Sequence, residues 1–244
     1  CFLLRMRLWN TDCAASLVPI LKVHSPSHVS RHIKSHKIIL KLLFLRFEKN
    51  HQIFTSMHPK SDHQISEAGL RQQTAEIMAP AGNWASFRAA IQGGADSIYF
   101  GIEHLNMRAR ASNNFKMDGL PEISALANQH GIKTYLTLNT ILYDHDLPLM
   151  RSIIDAVKEN GITAIIASDQ AAISYAHKQG VEVHISTQTN ISNIEMVEFY
   201  SQFADVMVLA RELSLGQVKN ILERIRERNI TGPSGNPVQI EVFA

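Results

Sequence analysis

Glu76-Ile77-Met78-Ala79-Pro80-Ala81-Gly82-Asn83, followed by Gly94-Ala95-Asp96-Ser97-Ile98-Tyr99-Phe100-Gly101, decides the fold. Each half is a short β-prone run that ends in a loop, and together they open a series that recurs to the end of the chain. Candidate strands start near Glu76, Ser97, Lys133, Thr163, Glu182, Val206 and Val238, about 27 residues apart over six intervals. That spacing is the size of a βα unit and too long for a hairpin. The expected fold class is therefore α/β, a TIM-like (β/α) barrel of about seven strands whose chemistry sits at the strand C-termini.

The intervening segments carry helix signals. Ser192-Asn193-Ile194-Glu195 and Ser214-Leu215-Gly216-Gln217 have capping-box spacing, in which a serine oxygen and a Glu or Gln side chain satisfy orphan N–H groups. Leu215, Val218, Ile221, Leu222 and Ile225 repeat on one helical face, as do Met150, Ile153, Ile154 and Val157. These stripes are core contacts. Gly131, Gly161 and Gly180 each precede an apolar run, as a left-handed stop between helix and strand requires.

Alternation along the strands sorts side chains into two layers. In Val183-His184-Ile185-Ser186-Thr187-Gln188 the aliphatic pair is expected to face the helices, leaving His184, Ser186 and Gln188 toward the barrel axis. Leu136 and Leu138 face outward in the third strand, with Tyr135, Thr137 and Asn139 inward. Ile240 and Val242 leave Gln239 and Glu241 inside the last strand. A lumen this polar is costly unless its groups bind one another or a ligand.

Composition sets outer limits. The chain has 244 residues, 45% of them hydrophobic and 19% charged, with a net charge of +2. Residues 1–56 carry nine Lys/Arg against two acids, whereas residues 57–244 carry fifteen against twenty. The basic character thus belongs to the front end and says little about the partners of the main domain. Cys1 and Cys13, the only cysteines, give no disulfide framework, and a cytoplasmic location is expected. The apolar run Ile38-Ile39-Leu40-Lys41-Leu42-Leu43-Phe44-Leu45 is broken by lysine and falls short of the roughly 20 residues of a membrane span. His24, His28, His32 and His36 fall at i+4 spacing, but Pro26 opposes a helix there and no carboxylate or thiolate joins them, so no metal site is expected. Residues 1–75 read as a basic, His-rich extension, poorly ordered or not native, beside the barrel of residues 76–244; residues 1–56, which precede a plausible start at Met57, are expected to pack little against that barrel.

Ala79-Pro80-Ala81-Gly82-Asn83, Gly94-Ala95-Asp96-Ser97-Ile98-Tyr99-Phe100-Gly101, Arg108-Ala109-Arg110-Ala111 with Asn114-Phe115, Asn139-Thr140, Ser168-Asp169, His184-Ile185-Ser186-Thr187-Gln188 and Leu209-Ala210-Arg211-Glu212-Leu213-Ser214 occur in order. This set resembles the collagenase-like peptidases of unassigned (U-type) mechanism, family thirty-two, across residues 76–244. That family includes bacterial tRNA wobble-uridine hydroxylation proteins, a ribosomal RNA hydroxylation protein and ubiquinone-hydroxylation proteins. The resemblance implies a barrel truncated before its C-terminal cysteine region. It also implies that an iron–sulfur cluster, where a full-length member has one, is held by cysteines beyond Ala244.

Three chemistries can be weighed on the residues. Proteolysis finds no His-Glu-x-x-His, no Gly-x-Ser-x-Gly and no cysteine in the barrel region, so the peptidase reading, a hydrolase, rests on the resemblance. Schiff-base chemistry wants a lysine at a strand's C-terminal end, and Lys133 starts its strand. Binding of an anionic substrate or RNA fits Arg108, Arg110 and Arg211, which follow the second and sixth candidate strands. Against this stand a solvated loop for Arg108 and Arg110, an ion pair of Arg211 with Glu212, and a helix N-cap for Asp169. Asn139 and Gln188 have amides that read a ligand or knit the lumen together, and His184 reads as a hydrogen-bonded barrel histidine. The leading expectation is hydroxylation of tRNA wobble uridine or a related RNA or small-aromatic hydroxylation. Peptidase activity on a peptide substrate is the alternative, and a non-enzymatic RNA- or protein-binding subunit is the third reading.

Overall fold

A computed structural model of the chain describes residues 76–102, 105–107 and 115–243, together with the backbone of residues 3–6. Seven parallel strands run in sequence order: β2 (Glu76–Ala81), β3 (Ser97–Gly101), β4 (Lys133–Leu138), β5 (Ala164–Ala167), β6 (Glu182–Ile185), β7 (Val206–Val208) and β8 (Gln239–Phe243). The strand starts expected from the sequence agree with these to within one residue. A short strand β1 (Leu3–Met6) pairs antiparallel with both β2 and β8, so the pairing runs round a closed ring. The expected extension over residues 1–75 otherwise lies outside the described residues, but at Leu3–Met6 the backbone joins the barrel, which the sequence reading did not anticipate.

The helices of the shell are α1 (Trp84–Gln92), α2 (Leu120–Gln129), α3 (Leu147–Glu159), α4 (Gln170–Gln179), α5 (Ile194–Tyr200) and α6 (Leu215–Glu227). Their starts are fixed by side chains that satisfy the first free N–H groups. Asn83 and Ser86 make a reciprocal box at α1, and Ser214 and Gln217 make the expected one at α6. The box expected from Ser192 to Glu195 is shifted: Asn193 is the N-cap of α5 and its Oδ1 accepts from the Met196 N–H at 3.1 Å. An Asn carbonyl does the same work as a serine hydroxyl, so two adjacent capping residues leave the start ambiguous by one position. Gly131, Gly161 and Gly180 have φ of 65°, 66° and 71°, the left-handed conformation read from their place before each strand.

Two apolar layers follow from the strand alternation. Leu136, Leu138, Ile165, Val183, Ile185, Met207 and Ile240 pack outward against Ile123, Met150, Ile153, Ile154, Val157, Ile173, Val218, Ile221 and Ile225 of the helices. Inside the ring a smaller cluster holds Met78, Tyr99, Tyr135, Ala164, Ile166 and Val208, with Phe243 packed against it. The aliphatic stripes read from the sequence are these outward contacts. Leu215 is the exception and is about two-fifths exposed, at 38%, because it opens the first turn of α6.

Candidate functional site at the two ends of the barrel

Polar side chains on the inner face gather first near the strand N-termini. Lys133 Nζ and Tyr135 Oη each reach one carboxylate oxygen of Glu76 at 2.9 Å, so a single acid partners an ammonium and a phenol from the neighbouring region. His184 is fully buried. Its Nε2 lies 3.1 Å from Glu182 Oε1 and its Nδ1 lies 3.4 Å from Glu241 Oε1. The ring centroid is 4.5 Å from that of Tyr135, which couples the two polar groups through packing. Glu241 is also completely buried, and neither of its carboxyl oxygens makes a hydrogen bond; the His184 ring is the polar group that stands against it. Lys133, Glu76 and Glu182 all start their strands, at the end of a barrel that serves stability.

Sequence reasoning placed His184 on the axis and Tyr135 and Glu241 on the inner face, and the structure agrees. It did not connect His184 with an acid, because Glu241 is far away in sequence and meets His184 only across the ring. Glu76 and Glu182 were missed as well. Glu182 could have been found as an acid two positions before His184 on the same strand face, whereas Glu76 meets Lys133 and Tyr135 only through the pairing of the strands.

At the strand C-termini the polar side chains tie loops. Asn139, just past β4, accepts from the Met107 N–H through Oδ1 at 3.2 Å and lies with Nδ2 3.5 Å from Ser186 Oγ. Asp169 caps α4 by accepting from the Ala171 N–H at 2.8 Å. Its second oxygen accepts from the Leu142 N–H at 3.3 Å and so holds the loop after β4. The N-cap role weighed for Asp169 is therefore realised, with a second bond that local sequence could not show. Gly101, the last residue of β3, faces Asn106 so closely that a Cβ would come within 2.6 Å of its amide.

Gln188 departs from the expectation. Strand β6 ends at Ile185, Ser186 caps a 3₁₀ turn over Thr187–Thr189, and Gln188 is exposed on that turn. The Ser186 oxygen stands 3.4 Å from the Gln188 N–H, so a local side-chain bond to the backbone ends the strand before the alternation reaches Gln188. Arg108 and Arg110 lie outside the described residues. Arg211 and Glu212 are both exposed after β7. The Arg211 guanidinium carbon sits 4.3 Å from the ring centroid of Phe243, a cation–π contact that replaces the ion pair weighed for Arg211 with Glu212.

A shallow depression elsewhere is lined by Arg151, Asp155, Glu159 and Tyr175 on the outer helices. Its groups are engaged with each other: Tyr175 Oη bonds Asp155 and Arg151 lies 5.7 Å over the Tyr175 ring. Desolvation, reinforced by Asp155, pushes the Tyr175 phenol up from its ordinary pKa. An iron–sulfur cluster does not fit the described barrel. No cysteine lies between residues 76 and 243, and among the described residues no three His, Cys, Asp or Glu gather to hold a metal. None of the described helices is long and apolar enough to cross a membrane.

Comparison with known proteins bears on the same residues. A collagenase of Porphyromonas gingivalis strain W83 is 59% identical over 169 residues, which cover 69% of this chain and 41% of that protein. A tRNA hydroxylation protein P of Helicobacter pylori strain 26695 is 32% identical over 149 residues, covering 60% of this chain and 35% of the relative. The chain thus spans well under half the length of either. The solved structure of the U32 peptidase Mk0906 superposes with a TM-score of 0.53 at 13% identity, over 68% of this chain and 69% of that one, and so supports the fold alone. Residues 82–244, which hold every described strand except β1 and β2, match the family as a continuous stretch, and the chain belongs to peptidase family U32.

Proposed function

We propose that the full-length protein modifies RNA by hydroxylation, with the wobble uridine of tRNA or a related base as substrate, and that this barrel holds the substrate at its C-terminal mouth. The observation that carries this reading is Arg211, exposed at the mouth and braced over the Phe243 ring. A guanidinium supported on one face keeps its fork of N–H donors free for a phosphate or carboxylate. Arg108 and Arg110, which follow β3 in the sequence, belong to the same proposed anion site, while Glu212, Asn139, Asp169 and Gln188 shape its rim. Relatives named as tRNA hydroxylation proteins support the assignment. Under this reading the protein works in the cytoplasm, and any iron–sulfur cluster draws its ligands from beyond Ala244.

Peptidase action is the second reading, favoured by the 59% identity to a protein named collagenase. Nucleoside mass analysis of tRNA from a strain lacking the complete gene, with and without complementation, separates the two. Loss of a hydroxylated uridine that complementation restores supports RNA modification. Unchanged nucleosides together with cleavage of a collagen peptide by the purified full-length protein would establish the peptidase reading instead.

A further inference from the structure

The loops that follow β3 and β4 carry an unusual surface. Four large apolar side chains are more than half exposed among the described residues, and three of them, Met107, Ile141 and Tyr143, stand in these two loops. Tyr143 is 63% exposed. Its ring lies parallel to that of His145, with 1° between the planes and 5.8 Å between centroids. His145 is itself 80% exposed. An apolar and aromatic surface in water at the functional end of a barrel calls for an occupant.

These loops are held in place. The Met107 N–H donates to Asn139 Oδ1, the Leu142 N–H to Asp169 Oδ2, and the Tyr143 N–H to Asp146 Oδ2 at 3.0 Å. Three side-chain acceptors on three backbone donors fix the backbone that presents Tyr143, so little ordering remains to be done on binding. Its most exposed aromatic group is a ring that already lies parallel to another ring. An apolar peptide side chain is best bound in a pocket, whereas a nucleobase offers a planar π face to an exposed ring.

We propose that Tyr143, backed by His145, is a stacking platform for an unpaired base of an RNA loop, with Ile141 and Met107 as its apolar border. The inference rests on the RNA reading above and names the part of the mouth that takes the base, while Arg211 serves the phosphate chain. Arg211 offers a cation for the backbone and Tyr143 a π face for the base, the combination used for single-stranded RNA.

The test uses the full-length protein and a uridine-containing hairpin whose loop carries 2-aminopurine, whose fluorescence falls on stacking. The wild type is expected to bind and quench it, Tyr143→Phe to behave alike, and Tyr143→Ala to bind about tenfold more weakly with the quench lost. Thermal unfolding of Tyr143→Ala should match the wild type, since the ring is exposed. Wild-type binding and quench in Tyr143→Ala would overturn the platform and leave the RNA reading standing. Failure of the wild type to bind any RNA hairpin would overturn both. Protection of Tyr143 from hydroxyl-radical oxidation without RNA would mean that other parts of the protein cover the surface, and would also overturn the platform.

Discussion

The two ends of the barrel use similar residues for different ends. In the lower lumen Lys133 and Tyr135 share Glu76, and Glu182 meets His184, which also faces the enclosed Glu241. At the C-termini, Asn139 and Asp169 each accept from a backbone N–H of a loop, and Arg211, Tyr143 and His145 are exposed. Both ends are polar, so polarity alone does not mark a site. What separates them is whether a side chain's partners lie within the ring or in the solvent beyond it.

The comparison breaks most directly at His184. His184→Ala removes a fully buried ring packed on Tyr135 and facing Glu241 and should cost about 3–5 kcal/mol in urea unfolding, because it opens a cavity in the lumen. A loss below about 1 kcal/mol would show that the floor does not depend on this ring. Gly101→Ala comes next. A Cβ would press on the Asn106 amide, which is itself buried, and overpacking of this kind costs about 2 kcal/mol. A wild-type melting temperature would mean that the loop after β3 yields more readily than its packing implies.

Arg211→Lys sharpens the contrast from the other end. The charge stays but the fork and its flat stacking are lost, so modification activity of the full-length protein should fall at least about tenfold, or roughly 1.4 kcal/mol. Unfolding should be unchanged, and a wild-type rate would leave Arg211 a surface residue resting on Phe243. The smallest effect is expected at Ser214→Ala, which removes the α6 capping box for about 1 kcal/mol in chemical denaturation. Because α6 belongs to the shell, neither end should respond, and a change in RNA affinity in this variant would show that the mouth is coupled to the helices.

Much of the fold was legible because its signals are local. Val183 and Ile185 alternate with His184, and Leu136 and Leu138 alternate with Tyr135, so the pleat of a strand assigns each side chain to a layer without knowledge of its neighbours. Gln188 failed for an equally local reason, since the Ser186 hydroxyl turned the backbone before the alternation could continue. The site was less legible because its partners are distant. Asp169 could be read as a cap from its own helix, yet its bond to the loop after β4 depends on β4 and β5 lying side by side.

The sequence by itself determined the βα repeat, the two faces of each strand, the left-handed glycine stops and the cap of α6, all of which arise from interactions within a few residues. Tertiary structure decided which charges meet. Arg211 has Glu212 beside it in the chain, but parallel pairing of β7 with β8 sets it over Phe243. His184 and Glu241 become partners because the sheet curls until β6 and β8 face a common lumen. Closure of a ring is a property of all its strands together, and so the contacts made across it cannot be read from any one of them.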